Sequence, residues 1–334
     1  MFNKQENLVI DCEYFVFRHT FFQDFIQYFY YLPNREVEAS RVARGNFRGY
    51  ISRIVADEIE IELDQCNVAT KTEGISANGW SFTIPISPSR LVYQKLHKLA
   101  DDYIIVTPPY TKFSIFQSPF ANRFIIHISQ DMMHYYCQTL HLPEPHSFLH
   151  PSDQTSPVFH CSSEKINSLR QLCFELFQMA FNLESCPKRM PRPNVSLIKQ
   201  QLKEGIAENL LLSLAESREI KPKKALMKRS SVLKNAEQFM IGNLKTDVTT
   251  KDICDNSKVS QRNLEYIFKD FYGIPPKKFF NLLRLNALNK ELRQRLKKTN
   301  IVNIAQDYGF FHRGRLATDY KKLFGELPSE TLGK

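Results

Sequence analysis

Two short rows of polar side chains carry the most specific chemistry in this chain. Gln261, Arg262 and Glu265 form one row, and Arg313 and Arg315 form the other. A guanidinium presents a fork of donors, an amide presents donor and acceptor side by side, and a carboxylate only accepts. These patterns complement the base edges displayed in the major groove of duplex DNA. Such rows act as readers when they stay wet and are held rigidly. Lysines follow each row: Lys269, Lys277 and Lys278 after the first, Lys321 and Lys322 after the second. A lysine ammonium is a mobile point charge, suited to backbone phosphates rather than to bases.

The elements that must position these rows come as a repeat. Lys269-Asp270-Phe271-Tyr272-Gly273-Ile274-Pro275-Pro276 resembles Lys321-Lys322-Leu323-Phe324-Gly325-Glu326-Leu327-Pro328, with the two glycines 52 positions apart. The same offset pairs Leu264 with Leu316, Phe268 with Tyr320 and Val259 with Phe311. One supersecondary unit therefore occurs twice. In the first copy Thr249 is a helix N-cap, a helix runs from about Thr250 to Asn256, Ser257-Lys258-Val259 turns the chain, and Ser260 caps a second helix. That second helix buries Leu264, Ile267, Phe268 and Phe271 and ends at Gly273. Pro275-Pro276 opens the long helix Lys277 to Leu296. In the second copy Asn300 caps Ile301 to Tyr308, small Ala305 allows close helix crossing, and Gly309 makes the turn. Phe310 and Phe311 plug the core, and His312 to Phe324 forms the last long helix. Each copy reads as a helix-turn-helix, a shape that offers its second helix to a major groove.

Charge agrees with that placement. From Lys221 to Lys334 there are 24 Lys+Arg against 11 Asp+Glu, whereas the preceding residues hold 21 against 24. The whole basic excess thus lies in the C-terminal third, where a polyanion would bind. On charge alone a solvated lysine-rich surface is an equal alternative.

The rest of the chain reads as two further regions. Residues 1–156 hold an amphipathic opening, Thr20 to Tyr31, with Phe21, Phe22, Phe25, Ile26 and Phe29 at helical spacing. Strand-like runs follow at Gly49–Ala56, Glu58–Leu63, Trp80–Ile86, Ile104–Val106, Lys112–Phe116 and Arg123–Ser129, broken by turn residues. Glu58 to Leu63 alternates strictly, which predicts one wet and one buried face. Many short strands suggest a β-sandwich or barrel. Residues 157–226 read as an αα-hairpin. Ile166, Leu169, Cys173, Leu176, Phe177 and Ala180 make one stripe, and Ile198, Leu202, Ile206, Leu210 and Leu214 make another at four-residue steps. Three prolines within Cys186 to Pro193 separate the two. These stripes pack either on the strand domain or against a second subunit. Lys221, Pro222, Lys223 and Lys224 read as a short basic linker, after which residues 227–334 form the all-α tandem helix-turn-helix domain.

The C-terminal residues resemble the AraC/XylS family of bacterial transcription regulators. Ile304-Ala305, Gly309-Phe310, Leu316, Tyr320-Lys321-Lys322, Phe324-Gly325 and Pro328-Ser329 match the signature of its second unit. Ser260, Arg262, Leu264, Phe268, Gly273 and Pro275 match the first. The similarity covers about Ser230 to Leu332. By position it implies base-reading roles for Arg262, Glu265 and Tyr266, and for Arg313, Arg315, Ala317 and Thr318. There are departures: Tyr266 and Thr318 stand where many members carry arginine, and Lys258 replaces a frequent glycine. The strand-rich region is similar in outline to the cupin-like sensing domains of such regulators. The resemblance implies an α+β protein with a cupin-like N-terminal β-sandwich or barrel, a helical linker and a C-terminal double helix-turn-helix. It further implies a small-molecule effector, RNA polymerase as a partner, an activating role and a homodimer. The Ile198 to Leu214 stripe is then the dimerisation candidate.

Other residues have chemistry of their own. Six histidines between His127 and His160 fall at irregular intervals and read as ordinary side chains rather than zinc ligands. Asp101-Asp102 reads as a solvated turn. Cys161 and Cys173 are either small core hydrophobes or redox sensors. Trp80, Phe82 and Phe116 either line an effector pocket or fill the core. Seven cysteines without a CxxC pair argue against a disulfide framework and for a reducing cytoplasm. No signal segment or membrane-crossing apolar run is visible. Neither cofactor nor metal is expected, and the protein is read as a non-enzymatic regulator of promoter DNA. The alternative from another class is a ligand-binding or enzymatic β-domain whose helical tail binds proteins.

Overall fold

The structure is a computed structural model that describes residues 8–12, 15–31, 36–86, 92–93, 102–149, 156–183, 193–220, 224–295 and 300–332. Its N-terminal part begins with β1 (Leu8–Cys12), β2 (Phe15–Phe22), a short helix α1 (Phe25–Tyr30), β3 (Glu36–Arg41), β4 (Gly49–Ala56), β5 (Ile59–Cys66) and β6 (Thr70–Ile75). It continues with β7 (Trp80–Pro85), β8 (Val92–Tyr93), β9 (Tyr103–Thr107), β10 (Lys112–Gln117) and β11 (Asn122–Ile128). Helices α2 (Gln130–Thr139) and α3 (Pro145–Leu149) precede β12 (Val158–His160) and the long helix α4 (Ser163–Asn182). The strands pair antiparallel throughout. They make a nine-stranded sheet in the order β1-β2-β4-β5-β11-β7-β9-β12-β13 and a four-stranded sheet in the order β3-β6-β10-β8, with β13 at Arg218–Glu219. Chain-distant partners such as β5 and β11 align through alternating apolar residues: Ile59, Ile61 and Leu63 face the same core as Phe124, Ile126 and Ile128.

Two strand-region expectations are corrected. The Thr20–Tyr31 stripe is not one helix. Phe21 and Phe22 complete β2, opposite Tyr50 and Gly49, and only then does Asp24 cap α1 by accepting from the Ile26 and Gln27 backbone amides. Aromatic residues suit a strand as well as a helix face, and the ladder to β4 decides. On β5 the glutamate face is not uniformly wet. Glu62 and Asp64 are buried, and Asp64 pairs with Arg123 directly across on β11. A buried carboxylate is tolerable because its partner guanidinium is buried with it.

The hairpin belongs to the first core. After α4 the chain runs through α5 (Pro193–Gln200), a π-helical segment (Gln201–Glu208) and α6 (Asn209–Ala215) as one rod. Ile198, Leu202, Ile206, Leu210 and Leu214 are all buried, at 0–2% exposure, in one cluster with Ile166, Leu169, Cys173 and the strand residues. A stripe at four-residue steps drifts around a helix of 3.6 residues per turn. The wider π segment slows that drift and keeps the stripe on one side. The stripe is therefore spent inside the chain, which corrects its assignment to a dimer surface. Since β12 and β13 flank this hairpin and extend the nine-stranded sheet, the boundary expected at 156/157 falls within one packed body.

A second core, distinct from the first, organises the C-terminal helices α7 (Lys224–Gly242), α8 (Thr250–Ser257), α9 (Gln261–Tyr272), α10 (Pro276–Arg293), α11 (Ile301–Asp307), α12 (Arg313–Phe324) and α13 (Pro328–Thr331). The basic linker expected at 221–224 lies outside the described residues except for Lys224, which opens α7. The architecture is thus α+β, with antiparallel sheets first and helices after.

The two bodies meet along a seam that is apolar where Val42, Ala69 and Phe116 pack into the second core, and polar elsewhere. Asn286 on α10 accepts from the backbone amide of Arg41 (2.9 Å) and donates to its carbonyl (3.0 Å), pairing with an edge strand as another strand would. Ion pairs join Lys290 to Glu38, Arg293 to Asp24 and Arg44 to Asp319, at 2.9, 2.9 and 3.0 Å. Deeper in the seam Lys71 lies 2.7 Å from Glu237, which also accepts from the Tyr272 hydroxyl. Burial works against the Lys71 charge, but Glu237 and Glu73 outweigh it and hold its pKa above the ordinary lysine value.

Candidate nucleic-acid interface

The first helix-turn-helix is set by local chemistry. Thr249 and Asp252 form a reciprocal capping box at the start of α8. The helix ends at Lys258, whose φ of +54° puts a lysine in the left-handed region that the turn demands. Ser260 then caps α9 by accepting from the Asn263 amide. Leu264, Ile267 and Phe268 are buried, while Gln261, Arg262 and Tyr266 are exposed and Glu265 is half-buried. Gln261 donates to Glu265 at 3.0 Å, so the two hold one another along the outer face.

The second unit differs in its turn. Gly309 has φ +78°, and a Cβ there would stand 2.9 Å from a guanidinium nitrogen of Arg284. Arg284 is itself fixed, donating to the Leu244 and Thr246 carbonyls and lying over the Phe280 ring. Glycine is thus required twice, for conformation and for closeness. Only Phe310 of the two aromatic plugs turns inward. Phe311 is 71% exposed, because the turn that buries its neighbour points it to solvent. Helix α12 is anchored by buried Tyr320, whose hydroxyl accepts from Asn289 at 2.6 Å and donates to Thr331 at 2.9 Å. Its outer face shows Arg313, Arg315 and Thr318, with Ala317 half-buried, and Lys321 and Lys322 near its end. Lys269, Lys277 and Lys278 are likewise exposed.

One wall of the second row continues into an open cleft of about 960 Å³. Lys277 and Lys278, in the first turn of α10, line one side. Arg315, Thr318 and Lys322 of α12 line the other. Residues from outside the repeat also enter the surface. Arg229 of α7 lies over the Tyr266 ring (4.8 Å) and pairs with Asp270. Arg44, between β3 and β4, reaches Asp319 of α12 across a separation of 275 residues. No motif in the sequence signalled either contact, since both depend on how distant segments dock.

Other candidate residues do not assemble. Trp80 and Phe82 sit in the first core at 1% and 0% exposure, and Phe116 sits in the second against Tyr272. Buried in two separate cores, they do not come together as one lining, which corrects their grouping as an effector pocket. Burial raises the Cys161 thiol to about 11 and Cys173 further still, so neither carries the thiolate a redox sensor needs. His146 packs on Trp80 and His134 pairs with Glu144. His150, four residues from His146, lies outside the described residues. Among the described residues no helix is long and apolar enough to cross a membrane.

A duplicated, basic helix-turn-helix with two wet reading faces defines a DNA-binding domain. Residues 253–334 match a family described as "Helix-turn-helix domain". A similar curated protein is the XylDLEGF operon transcriptional activator 1 of Pseudomonas putida, 30% identical over 168 residues, covering 50% of this chain and 46% of that protein. A transcriptional regulator of Chromobacterium violaceum with an AraC-type DNA-binding domain is 32% identical over 30% of this chain and 88% of its own, at a TM-score of 0.29. The AraC-like transcriptional activator CuxR aligns over 80% of this chain and 93% of its own, at 13% identity and a TM-score of 0.40. The chain spans about half the length of the Pseudomonas relative it matches. Residues 253–334 thus form a helix-turn-helix domain of that described family.

Proposed function

We propose that the chain is a sequence-specific, double-stranded-DNA-binding transcription regulator. The observation that carries this reading is the pair of rows on α9 and α12: Gln261, Arg262, Tyr266, Arg313, Arg315 and Thr318 are exposed, each row follows a tight turn, and both helices pack on α10. On this reading Gln261, Arg262, Glu265 and Tyr266 contact bases in one groove, and Arg313, Arg315, Ala317 and Thr318 in the next. Lys269, Lys277, Lys278, Lys321 and Lys322 hold the phosphates. Activation, with RNA polymerase as partner, is proposed because the similar Pseudomonas protein is named an activator.

Control by a small molecule is assigned to the seam between the bodies. An effector shifts an equilibrium only by binding one arrangement better than another. A cavity of about 270 Å³ lies there between Phe25, Phe29, Lys71, Leu283 and Lys290. A ligand that fills it contacts both bodies at once.

Base preference tests the reading. Arg313→Ala is expected to cost about 1–3 kcal/mol and to relax discrimination at one position, whereas Lys321→Ala weakens binding to all sequences alike. Equal effects of the two on every sequence would refute the division into readers and holders.

A further inference from the structure

The surface offered to DNA is not confined to the helical domain. The segment between β3 and β4, residues 42–48, leaves the four-stranded sheet and docks beside α12. It is held at several points. The Val42 amide donates to the Ala69 carbonyl at 2.9 Å, and the Gly45 amide donates to the Lys322 carbonyl at 3.0 Å. The Arg41 guanidinium donates to the Gly45 carbonyl, and Asn67 bonds both the Arg48 amide and the Asn46 carbonyl. A loop pinned this way presents its side chains in a fixed place at little further entropic cost.

What it presents is Arg44. This side chain is 46% exposed and lines the same cleft as Lys277, Lys278, Arg315 and Lys322. A single carboxylate, Asp319, stands among these cations, 3.0 Å from Arg44 and 3.8 Å from Arg315. The exposed cations come from three separate elements around a cleft of about 960 Å³, and the buried cation nearby, Arg284, is committed to carbonyls. That distribution suits an extended polyanion better than a small anion. Arg315 and Thr318 form part of the wall, so a duplex read by α12 must carry its backbone over this cleft on the way toward α9.

We infer that Arg44, from the N-terminal body, is a phosphate contact for the bound duplex, completing the cationic track between the two reading helices. The inference rests on the DNA-binding reading above and extends it: the N-terminal body touches the ligand directly, so any movement of that body along the seam changes affinity through Arg44.

The test uses the full chain and a duplex that the unaltered chain selects from a random pool, titrated over a range of salt. Each phosphate contact contributes about 0.9 to the slope of log affinity against log salt. Arg44→Ala should therefore lower that slope by about one and weaken binding roughly fivefold near 0.15 M salt, with base preference unchanged. Arg44→Lys should restore the slope. Asp319→Asn should leave binding equal or tighter, because it removes the one anion beside the track. An unchanged slope in Arg44→Ala would overturn the inference. So would an Asp319→Asn variant that weakens binding as much as Arg44→Ala, since Arg44 would then be a brace for α12. Loss of binding to an acidic protein surface, with duplex binding intact, would overturn it in favour of a protein partner. A chain that binds no duplex overturns the functional reading as well, whereas a chain that binds with an unaltered slope refutes only the role of Arg44.

Discussion

Replacing Gly309 by alanine tests the geometry of the second turn against a built-in control. Gly273 and Gly309 both have left-handed backbone, with φ of +70° and +78°. An alanine forced into that region loses about 1–2 kcal/mol, partly offset by a stiffer unfolded chain worth about 0.4–1 kcal/mol. A Cβ on Gly273 meets nothing within 4 Å, so Gly273→Ala should cost about 1 kcal/mol in all. At Gly309 the new methyl stands 2.9 Å from a guanidinium nitrogen of Arg284 and 3.3 Å from its central carbon. That guanidinium cannot swing away freely, because it bonds the Thr246 and Leu244 carbonyls at 2.5 and 3.1 Å. Displacing it sacrifices at least one charge-assisted hydrogen bond, about 1.5–3 kcal/mol more. Urea titration followed by far-ultraviolet circular dichroism measures both variants. Fluorescence is unsuitable, because the single tryptophan, Trp80, lies in the other core. In an Arg284→Met background the extra cost of Gly309→Ala should vanish and the two alanines should become equal. Equal costs in the unaltered background, or an excess that survives loss of Arg284, would refute the close-approach argument.

Three other outcomes follow from named groups. Burial opposes ionisation of Glu291, but hydrogen bonds from Lys245, Arg295 and Tyr308 outweigh it and hold its pKa to about 2, below the ordinary 4.5. A carboxylate with a depressed folded pKa stabilises above its unfolded value and loses that contribution as pH falls through the folded one. The melting-temperature gap between the unaltered chain and Glu291→Gln should therefore be constant near neutrality and close between pH 4.5 and about 2; a gap independent of pH there would contradict the assignment. Ile206→Ala should destabilise the first core by about 2–5 kcal/mol without altering the size of the folded particle in light scattering, and dissociation of an oligomer without destabilisation would restore that stripe as an interface. Cys161 and Cys173 should resist alkylation in the native chain and react once it is unfolded; rapid native labelling of either would show that the thiol is not the buried, protonated group described.

The C-terminal domain was legible because its determinants are local. Caps at Thr249, Ser260 and Asn300, glycines at 273 and 309, and apolar intervals all act within a few residues, and a duplication displays them twice. The reading faltered where distance in sequence decides. Phe21 and Phe22 follow the ladder to β4 rather than their spacing to Phe25. The Ile198 to Leu214 stripe is identical in sequence whether it meets α4 or a second subunit, and only packing distinguishes the two. Strands β3 and β6 went unread, since their residues Arg41, Thr70 and Lys71 are buried by pairing and by the seam rather than by apolar patterning. Arg44 and Arg229 joined the candidate site for the same reason: nothing near either residue signals a contact with α12 or α9.

On the proposed function, α9 and α12 are two readers held on α10. Selecting duplexes from a random pool with the full chain, then sequencing those retained, tests it most directly. Two enriched blocks are expected, with centres about one helical turn apart, roughly 10–10.5 base pairs, and Arg313→Ala blurring only one of them. Retention without any enriched sequence, or a single block indifferent to Arg313 and Arg262 alike, would contradict it.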